Sequence, residues 1–252
     1  MLAPTPRKPL DRLCENEFII LLVTMSDVES SPPVSASNSA GTELAPTPRK
    51  RPKPGERRVQ ILQALATMLE QPGSERITTA ALAARLDVSE AALYRHFASK
   101  AQMFEGLIEF IEQTVFSLVN QIADWESSAE RVAATPDAGA GRRQAIKVVS
   151  MLMQFAEKNP GMTRVMVGDA LVFENERLQQ RMNQFFDKIE ATLKQSLRGS
   201  AESGGSATPS VDTQVRASVL TAFVVGRLQR FARSGFRRLP SEHLEASLGL
   251  IL

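Results

Sequence analysis

Residues 76–100 carry two short apolar repeats, each preceded by a hydroxyl side chain and separated from the other by a short polar segment. Thr78 or Thr79 can accept hydrogen bonds from amides that the start of a first helix leaves free, and Ser89 can do the same for a second helix. The alanines of the first repeat favour helix and let a second helix approach closely. The segment Asp87-Val88-Ser89 is therefore the turn of a predicted helix-turn-helix.

The predicted second helix has an apolar face and a polar face. Leu93 and Phe97 are four residues apart, as are Leu82 and Leu86 in the first helix, so these side chains are expected to face the core. The N-terminal part of such a second helix enters the major groove of a duplex, while nearby hydroxyls and amides hold phosphates. We predict that the residues contacting double-stranded DNA are Thr78, Thr79, Ser89, Glu90, Ala91, Ala92, Tyr94, Arg95, His96 and Lys100.

These side chains suit different contacts. Ala91 and Ala92 are small enough to meet a thymine methyl group. Tyr94, His96 and Lys100 can hydrogen-bond phosphates. The alternative is a helical hairpin that only packs, with Tyr94 and His96 as ordinary surface residues. Two capped helices and paired small residues together favour DNA binding.

Basic residues are concentrated just before this motif. The formal net charge of the chain is only +2, so no global field drives DNA binding. For each phosphate that a cation neutralises, the logarithm of the DNA affinity falls by about a further 0.9 for every tenfold rise in salt. We predict a basic arm that contacts DNA, the alternative being a solvated linker; its members are Arg49, Lys50, Arg51, Lys53, Arg57 and Arg58.

Residues 1–54 hold nine of the fourteen prolines, and residues 2–8 repeat as residues 44–50. Such a segment is not expected to pack into a core and is predicted to be a disordered extension. Met25 precedes a polar tail and is the expected working start, although the repeat favours a real duplication that includes the earlier residues.

Composition argues against an enzyme. Cys14 is the single cysteine, and the two histidines, His96 and His243, are far apart, so neither a disulfide framework nor a metal-ligand spacing is present in the sequence. Gly-rich phosphate loops and hydrolase motifs are also missing. The apolar run 18–23 is too short to span a membrane. We expect a cytoplasmic protein without a cofactor or a metal.

The rest of the chain predicts helices throughout. Apolar periodicity favours a first helix over 55–70, a fourth over 99–125, a loop over 126–141, and a sixth helix over 162–170. The eighth helix, over 212–234, is apolar on several sides and needs more neighbours than one chain offers. We therefore predict a two-fold homodimer whose interface includes Phe185, Ile189, Val219, Phe223 and Gly226. The alternative is that these apolar stripes lie only in the core of the monomer.

The run from Val88 to Lys100 resembles the DNA-binding domain of TetR-type transcription regulators. Segments 103–112, 159–165, 170–174 and 177–186 resemble the nucleoid occlusion branch of that family. The similarity covers roughly residues 55–198 and, more loosely, 212–240.

This resemblance implies an all-α, TetR-like fold with a three-helix DNA-binding domain and a C-terminal helical dimerisation domain. The expected division is 1–54 extension, 55–100 DNA-binding domain, and 101–252 dimerisation and partner-binding domain. It also implies a DNA-bound inhibitor of cell division that is associated with the nucleoid and acts on FtsZ, with one or several dimers on each DNA site. The residues predicted to line a groove for FtsZ between the fourth and fifth helices are Phe110, Met151, Gln154 and Lys158.

The alternative function is a ligand-responsive TetR-type repressor. Such a repressor holds an apolar pocket with a few polar groups, and its ligand changes the spacing of the two DNA-binding helices. The sequence shows no convergent polar cluster inside the predicted body, and it does not reveal the DNA site, because base preference depends also on docking angle and DNA shape.

Overall fold

The computed structural model of the chain describes residues 55–71, 77–133, 139–203 and 207–252. The predicted disordered extension, residues 1–54, lies outside the described residues. Within the described ranges the secondary structure is helical, which confirms the all-α prediction. The α-helices are α1 (Glu56–Glu70), α2 (Thr79–Arg85), α3 (Glu90–Tyr94), α4 (Lys100–Ala133), α5 (Ala140–Lys158), α6 (Pro160–Met166), α7 (Glu176–Ser203), α8 (Pro209–Arg233) and α9 (Leu244–Ile251), with a 3-10 turn at Asp169–Leu171.

Helix α4 is longer than predicted. The expected loop from Glu126 is wrong in its first part, because α4 continues to Ala133. Tertiary contacts hold this extension: the buried Glu126 carboxylate accepts a hydrogen bond from Lys147 Nζ and lies 3.6 Å from Arg143. Lys147 Nζ also lies 3.5 Å from the centre of the Trp125 ring. The end of α4 is therefore fixed to α5.

Helix α6 is shorter than predicted, and a 3-10 turn follows it. The predicted helix over 162–170 ends at Met166 because Gly168 has a φ of 84°. A left-handed residue of this kind ends a helix, and glycine adopts it without a Cβ clash. The chain then turns towards α7.

Two glycines bring the body helices close to the N-terminal helices. A Cβ on Gly161 in α6 would overlap the Ala66 carbonyl oxygen of α1 and lie 2.9 Å from its carbon. The Gly161 amide also donates to the Glu70 carboxylate. In α4, a Cβ on Gly106 would lie 3.2 Å from Leu62 of α1. Helix α1 is thus held between α4 and α6.

Burial raises the pKa of Glu70 above its ordinary value of 4.5, and the Gly161 amide and the Arg85 charge oppose that shift. The charged carboxylate loses hydration at this position, while its hydrogen bond to α6 favours the charged form. Glu70 therefore connects α1 to α6 at the expense of partial desolvation.

Helices α7 and α8 form an antiparallel pair. Helix α7 begins beside the first turns of α4, where Arg177 pairs with Glu105 and Arg181 Nη2 lies 2.6 Å from Glu112. Gln214 Nε2, near the start of α8, donates to Glu190 in the middle of α7 at 2.6 Å, and Arg198 and Pro209 line one cavity closer to the α7–α8 connection. Helix α8 consequently ends at the level where α7 begins, and it also packs against α5 and α6.

Contacts group Arg58–Leu252 into one compact unit. The predicted boundary at residue 100 coincides with the first residue of α4, which packs against α1 as well as against the body. The division into 55–100 and 101–252 stays a prediction. None of the helices found among the described residues has the length and apolar character that crossing a bilayer requires.

Candidate nucleic-acid interface

Both short helices are capped as a helix-turn-helix requires. Thr78 Oγ1 accepts a hydrogen bond from the Ala81 amide at 3.1 Å, so Thr78 rather than Thr79 caps α2. Ser89 Oγ accepts from the Ala92 amide at 3.3 Å. Since a capping hydroxyl satisfies amides that the first turn leaves free, these two contacts set where each helix starts.

A further contact joins the two helices. Thr79 Oγ1 donates to the Glu90 carboxylate at 2.6 Å, across the turn. Asp87 in that turn has a φ of 52°, a left-handed conformation that aspartate tolerates better than most side chains. Thr79 and Glu90 were predicted as DNA contacts. The structure shows that they also fix the angle between α2 and α3.

Leu82, Leu93 and Phe97 are each about 1% exposed, which confirms their predicted inward positions, whereas Leu86, predicted to face the core with them, is only half-buried. Tyr94 is 45% exposed. The residues predicted to contact DNA that lie exposed around the recognition helix α3 are Thr78, Ser89, Glu90, Ala91, Tyr94, Arg95 and His96. Ala92, half-buried, is less accessible than predicted because it lies at the edge of the α2 contact. The structure thus brings most of these residues onto one surface, and their DNA contacts stay a prediction.

Arg58 has a role that sequence analysis missed. Its Nη1 donates to the His96 carbonyl at 3.3 Å, and its guanidinium carbon lies 4.3 Å from the centre of the Phe97 ring. Arg58 therefore holds the end of the recognition helix to α1. No local pattern links two positions that are 38 residues apart. Arg57 is half-buried on α1. The other predicted members of the basic arm lie outside the described residues: Arg49, Lys50, Arg51 and Lys53.

Lys100, predicted as a phosphate contact, has an ion-pair partner in the body. Its Nζ lies 2.5 Å from Glu174, in the segment between the 3-10 turn and α7. The Glu174 side chain is 10% exposed and that of Lys100 is 28% exposed. A phosphate that binds Lys100 must compete with, or share, this carboxylate.

The predicted partner groove is only partly open. Helices α4 and α5 pack along each other, and Phe110 and Gln154 are half-buried while Lys158 is exposed. Met151 is 5% exposed and packs in the core of the body, so it offers little surface to a partner, and its place in the groove stays a prediction. Phe110, Gln154 and Lys158 are the accessible members of this set.

The predicted dimer surface requires a similar correction. Phe185 and Ile189 are fully buried within the chain, where the Phe185 ring packs edge-on against Phe116 at 5.6 Å. They are core residues rather than interface residues. Val219 is exposed, Phe223 is half-buried and Gly226 is exposed.

Exposed apolar side chains continue along the same face of α8. Val211, Val215 and Val219 recur every four residues, and their exposed fractions are 59%, 56% and 46%. Four-residue spacing places them on one helix face. We call this set the valine stripe. Three valines aligned in this way expose more apolar surface than scattered single residues do, which is typical of a protein interface.

Chemistry other than binding has little support. Among the described residues, no group of three or more His, Cys, Asp or Glu side chains is placed to hold a metal ion. The surface around α3 instead presents hydroxyls, a phenol, an imidazole and an arginine beside small alanines. That combination suits hydrogen bonds to phosphates and close approach to base edges.

Two family models match separate parts of the chain. Residues 61–107 match a family described as bacterial regulatory proteins, tetR family. Residues 143–252 match a SlmA-like family described as tetracyclin repressor-like, C-terminal domain.

Curated relatives are similar over most of the chain. The nucleoid occlusion factor SlmA of Idiomarina loihiensis is 50% identical over 190 residues, which are 75% of this chain and 90% of that protein. The protein of the same name from Vibrio vulnificus is 48% identical over 201 residues, covering 79% and 95%. That of Aliivibrio fischeri is 47% identical over 206 residues, covering 81% and 96%.

Solved structures share the fold at low identity. The transcriptional regulator FadR from Bacillus subtilis, in complex with stearoyl-CoA, has a TM-score of 0.58 and 14% identity, covering 77% of this chain and 96% of that one. A TetR-family transcriptional regulator from Bordetella parapertussis has a TM-score of 0.52 and 13% identity, covering 79% and 95%. These likenesses confirm the TetR-like fold.

Proposed function

Because the chain belongs to the SlmA group of nucleoid occlusion factors within the TetR family, we propose that it binds chromosomal DNA as a homodimer and blocks cell division over the nucleoid by disrupting polymers of FtsZ. The observation that carries this proposal is the capped, exposed recognition helix α3, whose inward residues Leu93 and Phe97 are buried while Tyr94, Arg95 and His96 are exposed. Acting over the nucleoid, the protein is associated with DNA in the cell.

Dimerisation supports site-specific binding. Two recognition helices related by a two-fold axis enter successive major grooves, about 34 Å apart or somewhat more. The valine stripe on α8 supplies an apolar surface for the second copy. On the same helix, a Cβ added at Gly226 would meet nothing within 4 Å. A neighbouring helix can therefore approach α8 closely at that point.

Capture of FtsZ needs a second surface. The ring of Phe110 and the ammonium of Lys158, at the α4–α5 contact, suit a segment that carries both apolar and acidic side chains. Binding to DNA raises the local concentration of this surface over the chromosome, or shifts helix geometry in favour of FtsZ capture. Support for this step comes from the family and from the exposure of these two residues.

The test is sedimentation of FtsZ polymers with the protein, with and without a specific duplex obtained by genome-wide crosslinking. DNA-bound wild type is expected to lower pelleted polymer mass and to shorten filaments. Ala91→Asp places a negative charge on the DNA-facing surface and is expected to abolish both DNA binding and the DNA-dependent effect. Ala191→Asp, at an exposed position of α7, is the matched control.

A charge reversal tests the FtsZ surface separately. Lys158→Glu is expected to keep DNA affinity and to lose the effect on FtsZ, whereas Arg142→Glu at the opposite end of α5 is expected to keep both. If polymer mass and filament length stay unchanged with DNA-bound wild type, division inhibition through FtsZ is wrong for this protein.

A ligand-responsive repressor is the second candidate. A cavity of about 440 Å³ opens between α7 and α8, lined by Lys194, Arg198, Thr213 and neighbouring residues. It lies at the rim of the helix pair rather than inside the body, which suits a polar effector. Thermal-shift screening with small effectors, together with a single chromosomal site beside the protein's own gene, would favour the repressor. Many sites spread over the chromosome favour nucleoid occlusion.

A further inference from the structure

Four arginines are exposed within nine residues at the end of α8 and in the turn that follows. They are Arg230, Arg233, Arg237 and Arg238. None of the four forms an ion pair with a carboxylate of the described residues. We call this set the arginine cluster. Four like charges held close together repel one another, so an anionic partner stabilises the cluster.

The turn that carries the cluster is held in one conformation. Ser234 Oγ accepts hydrogen bonds from the amides of Arg237 and Arg238, at 3.1 and 2.9 Å. Gly235 and Phe236 both have a φ of 63°. The left-handed conformation is unfavourable for phenylalanine and persists only where surrounding contacts over-determine it.

Those contacts come from α8 and α6. The Phe236 ring lies 5.1 Å from the ring of Phe231 and 5.2 Å from the guanidinium carbon of Arg164. Further along, Ser241 donates through its amide to the Glu157 carboxylate of α5 at 3.0 Å. The arginine cluster is therefore presented on a fixed turn, so little conformational entropy is lost when it binds.

The cluster lies at the end of the body that faces the recognition helix. Glu174, just before α7, pairs with Lys100 at the start of α4, six residues beyond the last residue of α3. Helix α8 is antiparallel to α7 and returns to that same end, as the contact between Gln214 and Glu190 shows. Arg230 and Arg233 are thus at the level of α7's first turn.

We propose that the arginine cluster is a second DNA contact, which binds phosphates of the duplex between the two half-sites. This inference rests on the proposed function, because it requires a dimer on DNA. Both recognition helices must face one duplex, so the two-fold axis points at that duplex and the C-terminal ends of both α8 helices face it. The two clusters then lie on either side of the axis, above the centre of the site.

Arginine suits this role because its planar guanidinium binds phosphate oxygens through two parallel hydrogen bonds. Contacts to central phosphates carry no base information. They favour DNA that bends towards the protein between the half-sites, so the sequence there is selected by its flexibility. An acidic segment of a protein partner is the competing occupant, and the position of the cluster on the DNA-facing end makes that occupant the less favoured one.

The experiment compares the salt dependence of DNA binding for the wild type and its variants on a specific duplex. The test variant is Arg237→Gln with Arg238→Gln, and Arg238→Gln alone guards against loss of the bond from Arg237 Nε to the Ser234 carbonyl. The matched control is Arg142→Gln with Arg143→Gln, which removes the same charge from two adjacent arginines at the far end of α5. Unfolding temperatures of all variants are expected to equal that of the wild type.

If each protomer loses one phosphate contact, the slope of log affinity against log salt falls by about 1.8 in the dimer. If the affinities of the wild type and the test variant become equal at about 1 M salt, the variant binds DNA roughly sixtyfold more weakly than the wild type at 0.1 M salt. The control variant is expected to keep the wild-type slope. The single variant Arg238→Gln is expected to show a smaller fall in the same direction.

A test variant whose slope matches that of the control overturns the proposal. If that variant also loses its effect on FtsZ while its slope is unchanged, the cluster binds the protein partner instead, and the DNA contact is again overturned. Should the wild type itself bind no duplex, the proposed function fails together with this inference. When the wild type binds DNA but the test variant has the same salt slope as the control variant, this inference alone fails.

Discussion

Replacing Gly161 with alanine tests the contact that holds α6 against α1. The added Cβ would overlap the Ala66 carbonyl oxygen and lie 2.9 Å from its carbon, with Glu70 Cγ at 3.3 Å closing the other side. Because these are backbone atoms of a packed helix, α6 and α1 have to separate by about 1 Å. Overpacking of this kind costs about 1–3 kcal/mol.

Part of this cost is offset, since alanine in a helix is favoured over glycine by about 0.5–1 kcal/mol. At the middle of both ranges the net loss is about 1 kcal/mol, which lowers the unfolding temperature by roughly 2–4 °C in a chain of this size. DNA affinity is also expected to fall. The displaced α1 carries Arg58, which holds the end of the recognition helix through the His96 carbonyl.

Thermal unfolding and DNA binding are measured at one protomer concentration, because dimerisation makes apparent stability concentration-dependent. Gly249→Ala is the control: it makes the same chemical change in α9, where a Cβ meets nothing within 4 Å. That variant is expected to gain about 0.5–1 kcal/mol. If Gly161→Ala is as stable as the wild type and binds DNA equally well, the close contact between α1 and α6 does not exist as described.

Three further changes have defined outcomes. Because burial raises the pKa of Glu70, the free energy of unfolding of the wild type falls as pH rises from 4.5 through that raised pKa. Glu70→Gln should therefore be the more stable protein at pH 7 in urea unfolding. Equal dependence of the two free energies of unfolding on pH from 4 to 8 would contradict this. Val215→Asp with Val219→Asp buries four carboxylates in a dimer formed through the valine stripe, and should raise its dissociation constant by at least about a hundredfold; sedimentation equilibrium showing an unchanged dimer would refute that interface. Glu174→Gln removes the carboxylate that pairs with Lys100 and should strengthen DNA binding by roughly two- to tenfold. In a double-mutant cycle with Lys100→Gln, a gain in DNA affinity that persists without the lysine would show a general charge effect instead.

The helix-turn-helix was predictable because local rules decide it. A hydroxyl at a helix start, apolar residues four apart, and a short polar turn are all read within about twenty residues of sequence, and Thr78, Ser89, Leu93 and Phe97 behave accordingly. The family resemblance added the domain organisation, whereas the dimer was predicted from the apolar faces of the eighth helix.

Long-range contacts were not predictable in the same way. The period of an apolar stripe shows which face is buried, but does not show whether the same chain or a second copy covers it. Phe185, Ile189 and Met151 are buried within the chain for this reason, while the valine stripe is left exposed. Arg58 and Lys100 looked like free cations, because their partners at His96 and Glu174 lie 38 and 74 residues away.

Helix α4 has 34 residues in one unbroken run. At about 1.5 Å per residue, it is a rod of roughly 50 Å. One end begins just after the recognition helix, and the other is clamped to α5 through Glu126 and Lys147. Such a rod acts as a lever: a tilt of about one degree at Glu126 displaces the start of the helix, roughly 39 Å away, by about 0.7 Å. In a dimer the two α4 helices move symmetrically, so a partner bound to the side of α4 changes the distance between the two recognition helices. By linkage, DNA that fixes this distance changes the affinity of the side of α4 for that partner.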